Sequence, residues 1–175
     1  MRNNGATMLR AIMMGVSIVV GAFSFSEGAA RAADDAPDTA AVLQDLHHSN
    51  QQAVAAGKLA QQSGKSRAMK DYGKMLEKDH GAADEQVTAL AREKKVNLTD
   101  GPSFGEMSDM AADPMFDTKF AQEMLGNHKK DLADVKDARD RTLDGKLKKL
   151  LIELVPTLQR HQDTAQKIID TETKK

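Results

Sequence analysis

The chain has no cysteine and no tryptophan, and one tyrosine and five phenylalanines are its whole aromatic content. Without cysteine there is no disulfide, no thiolate nucleophile and no lipid-modified terminal cysteine. With 3% aromatics, a core must be made of Leu, Ala, Val, Met and Ile. That palette suits helices better than strands, which favour aromatic and β-branched residues. No basic block and no basic–aromatic interleaving is present, which disfavours nucleic acid as a partner. Mixed charge, with a formal net of −1, also argues against broad binding to a membrane surface. There is no glycine-rich phosphate loop and no serine elbow, and Ser103 and Ser108 have no convincing base beside them.

The one long apolar run is AIMMGVSIVVGAFSF, beginning at Ala11. It is short for a membrane span, it follows Arg2 and Arg10, and it leads to Ala30-Arg31-Ala32, which fits an A-x-A cleavage site. Residues 1–32 are therefore expected to be a signal peptide. Its removal takes away three arginines and one glutamate and leaves a mildly acidic chain in the periplasm or outside the cell, with no membrane anchor. Residues 33–38 would be a short leader and residues 39–172 the folded domain.

That domain has four amphipathic patterns with three-and-four spacing. The first, about Thr39 to Gln62, would turn Leu43, Leu46 or His47, Asn50, Val54 and Gly57 inward. Gly64 would end it in a left-handed conformation. Ser66 would cap the second, about Arg67 to Lys95, whose stripe is Tyr72, Leu76, His80, Ala83, Val87 and Leu90. A connection from Asn97 to Ala112 is long enough to cross the end of a bundle. Asp113-Pro114 would start the third helix, with Phe116, Phe120, Met124, His128, Leu132, Val135 and Ala138 inward. Asp144-Gly145 precedes the fourth, with Leu147, Leu151, Leu154, Leu158, His161, Ala165 and Ile168. Pro156 is expected to interrupt and kink it near Ile152. No segment alternates as a strand does. The fold expected is all-α, an antiparallel up-and-down four-helix bundle.

Three histidines, His80, His128 and His161, fall near the midpoints of three different helices. Midpoints of packed helices share a level, so these side chains can meet in one core. Neutral imidazole is a common ligand for divalent transition metals, and three from separate helices would make an open site. His47 is a candidate fourth ligand from the first helix, and His48 is expected in solvent. The competing reading makes each histidine an interhelical filler with a local hydrogen bond, Asp79 and Asn127 being nearby polar company. Glu77-x-x-His80 is half of the ligand pattern of di-iron carboxylate bundles, but Leu125 and Leu158 stand where the other helices would need glutamate. This argues against a ferroxidase and leaves Glu77 as a surface partner for lysines. Met107, Met110 and Met115 cluster around the long connection; thioethers suit Cu(I), and Met equally fills irregular apolar gaps.

The segments AVAAGKLAQQSGKSRAMKDYGKMLEKDHGAADEQVTALAREKKVNL, FDTKFAQEMLGNHKKDL and LVPTLQRHQDTAQ together resemble the bacterial domain of unknown function 4142 family. The resemblance rests on Gly57-Lys58-Leu59-Ala60, Asp79-His80, Phe116-Asp117, His128, and Pro156-Thr157-Leu158 leading to His161, with Val155 where relatives have leucine. It implies an exported, ferritin-like four-helix protein of no established activity. Relatives tend to carry glutamates where this chain has Ala53-Val54-Ala55-Ala56, and Asp-His where it has Asn127-His128. Function is thus expected in one of two classes: a non-enzymatic envelope or stress-response accessory working through a protein partner, or a metal-binding or redox protein built on the histidines.

Overall fold

A computed structural model describes residues 36–101 and 108–174. Four long helices carry the chain: α1, Thr39–Ser63; α2, Arg67–Lys94; α3, Phe116–Arg141; and α4, Gly145–Glu172. A 3₁₀ turn, Ser108–Ala112, lies in the connection between α2 and α3. The described residues contain no strand, and the all-α four-helix expectation holds. The expected signal peptide, the first leader residues, Ser103 and Met107 lie outside the described residues.

Capping side chains fix most of the helix starts. Asp38 accepts from the Ala40 amide, Ser66 from Met69, and Asp144 from both Lys146 and Leu147, each satisfying donors that the first turn leaves free. Asp113 does not cap α3 as expected. Its carboxylate accepts from the Met115 amide, Pro114 lies in a turn, and the helix begins at Phe116 with no side-chain cap. Gly64 is also not left-handed: its φ is −54°. Space decides it instead, because a Cβ there would stand 2.4 Å from the Ala60 carbonyl oxygen. The left-handed residue is Lys95, with φ 58° at the end of α2. Pro156 sits inside α4 without ending it. The carbonyl it deprives of a donor, that of Ile152, belongs to an exposed residue, so water can serve it.

The buried faces follow the expected stripes in α2 and α3 throughout. In α1, Leu43, Asn50 and Gly57 are buried as expected, while Ala53 takes the inward place given to Val54, which is only partly buried. Gly57 and Ala60 let α1 lie close on α2. A Cβ at Gly57 would come within 2.6 Å of the Gly73 carbonyl oxygen and 2.7 Å of the Glu77 nitrogen.

The pairings give the topology. His47 meets Asp84 and Gln61 meets Glu77 across antiparallel α1 and α2. Glu93 meets Lys146 and Asp79 meets Arg160 across antiparallel α2 and α4. Tyr72 pairs with Phe120 and His80 with His128, so α2 and α3 run in the same direction. Strict up-and-down alternation therefore holds within each hairpin and not across the α2–α3 link. The reason is the long connection. It leaves α2 beside the first half of α1, where Thr99 and Gly101 bond Gln44, His48 and Gln51, and it arrives at the other end, where Met110 packs on Phe116 and its neighbours. Around the bundle the order is α1, α2, α4, α3. The hairpin contacts are extensive, and α1 against α3 is the loosest edge.

Two apolar clusters fill the interior. One holds Ala60, Met69, Tyr72, Leu76, Phe116, Phe120 and Ile168; the other holds Leu43, Val87, Leu132, Val135, Leu147 and Leu151. The histidines lie on the polar level between them.

A buried three-histidine cluster

His80 from α2, His128 from α3 and His161 from α4 are all buried. Their ring centroids stand 5.3, 5.0 and 5.0 Å apart. One nitrogen of each lies within 4.8 Å of the others. His80 Nε2 is 3.1 Å from His128 Nε2, and His161 Nδ1 is 3.2 Å from the same atom. Spacing of about 3.3 Å is what two nitrogens have when they share a tetrahedral cation at about 2.0–2.1 Å.

The outward nitrogens decide where the protons are. His128 Nδ1 is 2.7 Å from the Met124 carbonyl oxygen, and His161 Nε2 is 3.1 Å from Asp79 Oδ2. Both partners only accept, so both outward nitrogens donate. His80 Nδ1 is 2.9 Å from Asn50 Oδ1 and donates likewise. A neutral imidazole has one N–H. Each ring therefore spends its proton outward, and three bare lone pairs face one another in the core. Turning the Asn50 amide over would let His80 donate to His128, yet His161 Nδ1 would still face a lone pair at 3.2 Å. As neutral rings the three do not complete one another's hydrogen bonding.

Protonation is a poor remedy. Burial pushes His80 well below the ordinary imidazole value, and the neighbouring His161 and His128 push the same way. Burial lowers His128 against the pull of the Met124 carbonyl and Asp131. It takes His161 to about 4 despite its bond to Asp79. For Asp79 burial opposes ionisation, but hydrogen bonds from Arg160 and His161 outweigh it and hold the carboxyl below its usual range. The arrangement is a set of neutral nitrogen donors backed by acceptors, which is how imidazole ligands are oriented in metal sites.

Sequence reasoning brings together three of its four candidate ligands. His47 lies outside the cluster: its Nδ1 is 2.7 Å from Asp84 Oδ1. His48, expected in solvent, is only partly exposed and bonds Gln44 and the Thr99 carbonyl. Glu77 faces Gln61 at 2.6 Å rather than a lysine. Of the methionines near the connection, Met110 packs on the core and Met115 is exposed. Asp79, expected as company for His80, holds His161 instead, and the sequence gives Asn50 and the Met124 carbonyl no such role. Asn50 on an inward stripe and Asp79 beside His80 were the only signals for them. Asp117 was also missed. It is buried, and its two oxygens accept from the Lys65 and Ser66 amides at 2.8 and 2.7 Å, pinning the turn between α1 and α2.

Fold and site together define an all-α four-helix bundle with a three-histidine core. The pattern of the family Domain of unknown function (DUF4142) matches residues 24–168, and the chain belongs to that family. No curated protein and no solved structure matches it.

Proposed function

We propose that this protein is a metal-binding bundle that holds one divalent transition-metal cation on His80 Nε2, His128 Nε2 and His161 Nδ1. The observation that carries the reading is the set of three inward lone pairs with no donor among them. A cation satisfies all three at once, whereas neutral rings alone leave His161 Nδ1 facing a lone pair in either orientation of the Asn50 amide. Imidazole-only ligation suits zinc, copper or nickel better than magnesium or calcium, which prefer oxygen. A di-iron oxidase is disfavoured by the lack of carboxylates in the cluster, so the role is capture, carriage or single-metal chemistry. The N-terminal features support an exported protein acting in the periplasm or beyond it. No helix among the described residues is long and apolar enough to cross a membrane.

The test is metal analysis and calorimetry on untagged, metal-stripped protein. Zinc or copper should bind at one ion per chain and raise the unfolding temperature. His128→Gln should abolish the response, and His48→Gln should leave it intact. Absence of any bound ion in the wild type would leave the accessory-protein reading, with a protein partner, in its place.

A further inference from the structure

Three protein nitrogens leave a four-coordinate cation with a free position. No fourth donor joins the cluster among the described residues, and His47, the nearest candidate in sequence terms, is engaged with Asp84. Beside the cluster is a cavity of about 650 Å³, whose walls include His80 and His128. It follows the α1–α3 edge, where the bundle is loosest, and reaches the exposed side chains of Asp45, Lys130 and Asp134. That volume lies within the roughly 300–1,000 Å³ of small-molecule sites and is far above the ~30 Å³ share of one water.

Two further features describe what the cavity accepts. Leu46, Ala53, Leu154 and Leu158 make much of its wall apolar. Asn50, only 4% exposed and on the same wall, has an Nδ2 that finds no acceptor. An unused buried donor is costly, and it points to an acceptor atom on whatever occupies the space. Charge narrows the class. Asp45, Asp131, Asp134 and Asp137 line the cavity against Lys130, so anions are opposed on the way in. A cation already seated on three neutral imidazoles opposes a second cation.

We propose that the cavity admits a small uncharged Lewis base to the free position of the bound metal, with its body among the apolar side chains and an acceptor available to Asn50. This rests on the metal-binding reading above and adds that the site is open and selective for neutral ligands.

The experiment uses protein loaded with Co(II), whose visible absorption reports its ligands. Cobalt content is measured first, and failure to load overturns the metal reading and this proposal with it. On loaded protein, pyridine, an uncharged base, should shift the spectrum saturably. Azide, a small anion, should need about tenfold more ligand if the acidic wall acts as a charge filter. Combining Asp45→Asn with Asp131→Asn should bring azide to within a few-fold of pyridine and leave the pyridine response unchanged. Ala53→Phe, which fills the cavity from its α1 wall, should retain cobalt and lose the pyridine shift. A loaded wild-type protein whose spectrum ignores both probes would be a closed structural site and would overturn the proposal. Equal responses to azide and pyridine, unaltered by the aspartate changes, would overturn its charge selectivity.

Discussion

A histidine on an inward stripe is ordinary; a histidine whose outward nitrogen is already committed to an acceptor is a ligand in waiting. That distinction makes Asp79 as informative as the imidazoles. It accepts from His161 at 3.1 Å and from Arg160 at 2.8 Å, which fixes the His161 tautomer. Asp79→Asn should therefore lower zinc affinity by about 10–100-fold, the usual effect of losing a carboxylate behind a histidine ligand, with the fold intact by circular dichroism. An unchanged affinity would detach Asp79 from the site. The same burial predicts an acid limit for the metal-free protein. Burial takes the folded His161 to about 4, against the ordinary imidazole value of about 6.5 expected in the unfolded chain. Between those values the unfolded chain binds more protons. The contribution of His161 is thus fully present above 6.5 and is lost as pH falls toward 4. The loss is on the order of 3 kcal/mol. Urea unfolding at pH 7 and pH 4.5 should show it, and His161→Gln should reduce the difference while His80 and His128, also lowered by burial, keep theirs. Equal stability of the wild type at both values would contradict it.

At the scale of elements, the tight seam is α1 against α2. Gly57 and Gly73 bring the two backbones together, and a Cβ at Gly73 would stand 2.5 Å from the Gly57 carbonyl oxygen. Gly57→Ala must push the helices apart, for a cost of about 1–3 kcal/mol as in other overpacked interiors. It should also loosen the site, since Asn50 on α1 holds His80 on α2. Chemical denaturation with and without zinc would read both effects, and a neutral substitution would mean the seam yields freely. Elsewhere the stripes can be checked more bluntly. Val87 and Leu151 are both 0% exposed, so Val87→Asp and Leu151→Asp each bury an unpaired charge and should prevent cooperative folding. Exposed Lys149→Ala should shift stability by less than about 0.5 kcal/mol.

For the whole molecule, the two clusters and the polar level between them draw on all four helices, and no helix can bury its stripe alone. The described helices begin at Thr39, after the segment expected to be removed. Protein starting at Ala33 should show the helical content and single cooperative transition of the longer chain, because a signal peptide need not contribute to the fold. Mass measurement of exported protein should find its N-terminus within a residue or so of Ala33. Full-length protein held stably in the inner membrane would reject the export reading.

The sequence by itself determined the number of helices, most of their inward faces and the Ser66 cap, because each depends on residues a few positions apart along one helix. Tyr72, Leu76, His80, Ala83 and Val87 point the same way whatever their partners are. It also marked the levels of His80, His128 and His161, since a helix midpoint can be counted along the chain. It misplaced what depends on neighbours. Ala53 takes the inward place expected of Val54, and Asp113 lost its capping role to the turn that Pro114 makes. Only the tertiary structure decided that α2 and α3 run parallel, because the path of a long connection is set by what it packs against. Only it decided that His47 turns to Asp84 while Asn50, one turn on, meets His80. The outward acceptors that leave three lone pairs facing inward come from Met124, Asp79 and Asn50. Asp79 and Asn50 are far in sequence from the rings they hold, so the chemistry of the site exists only once the helices are side by side.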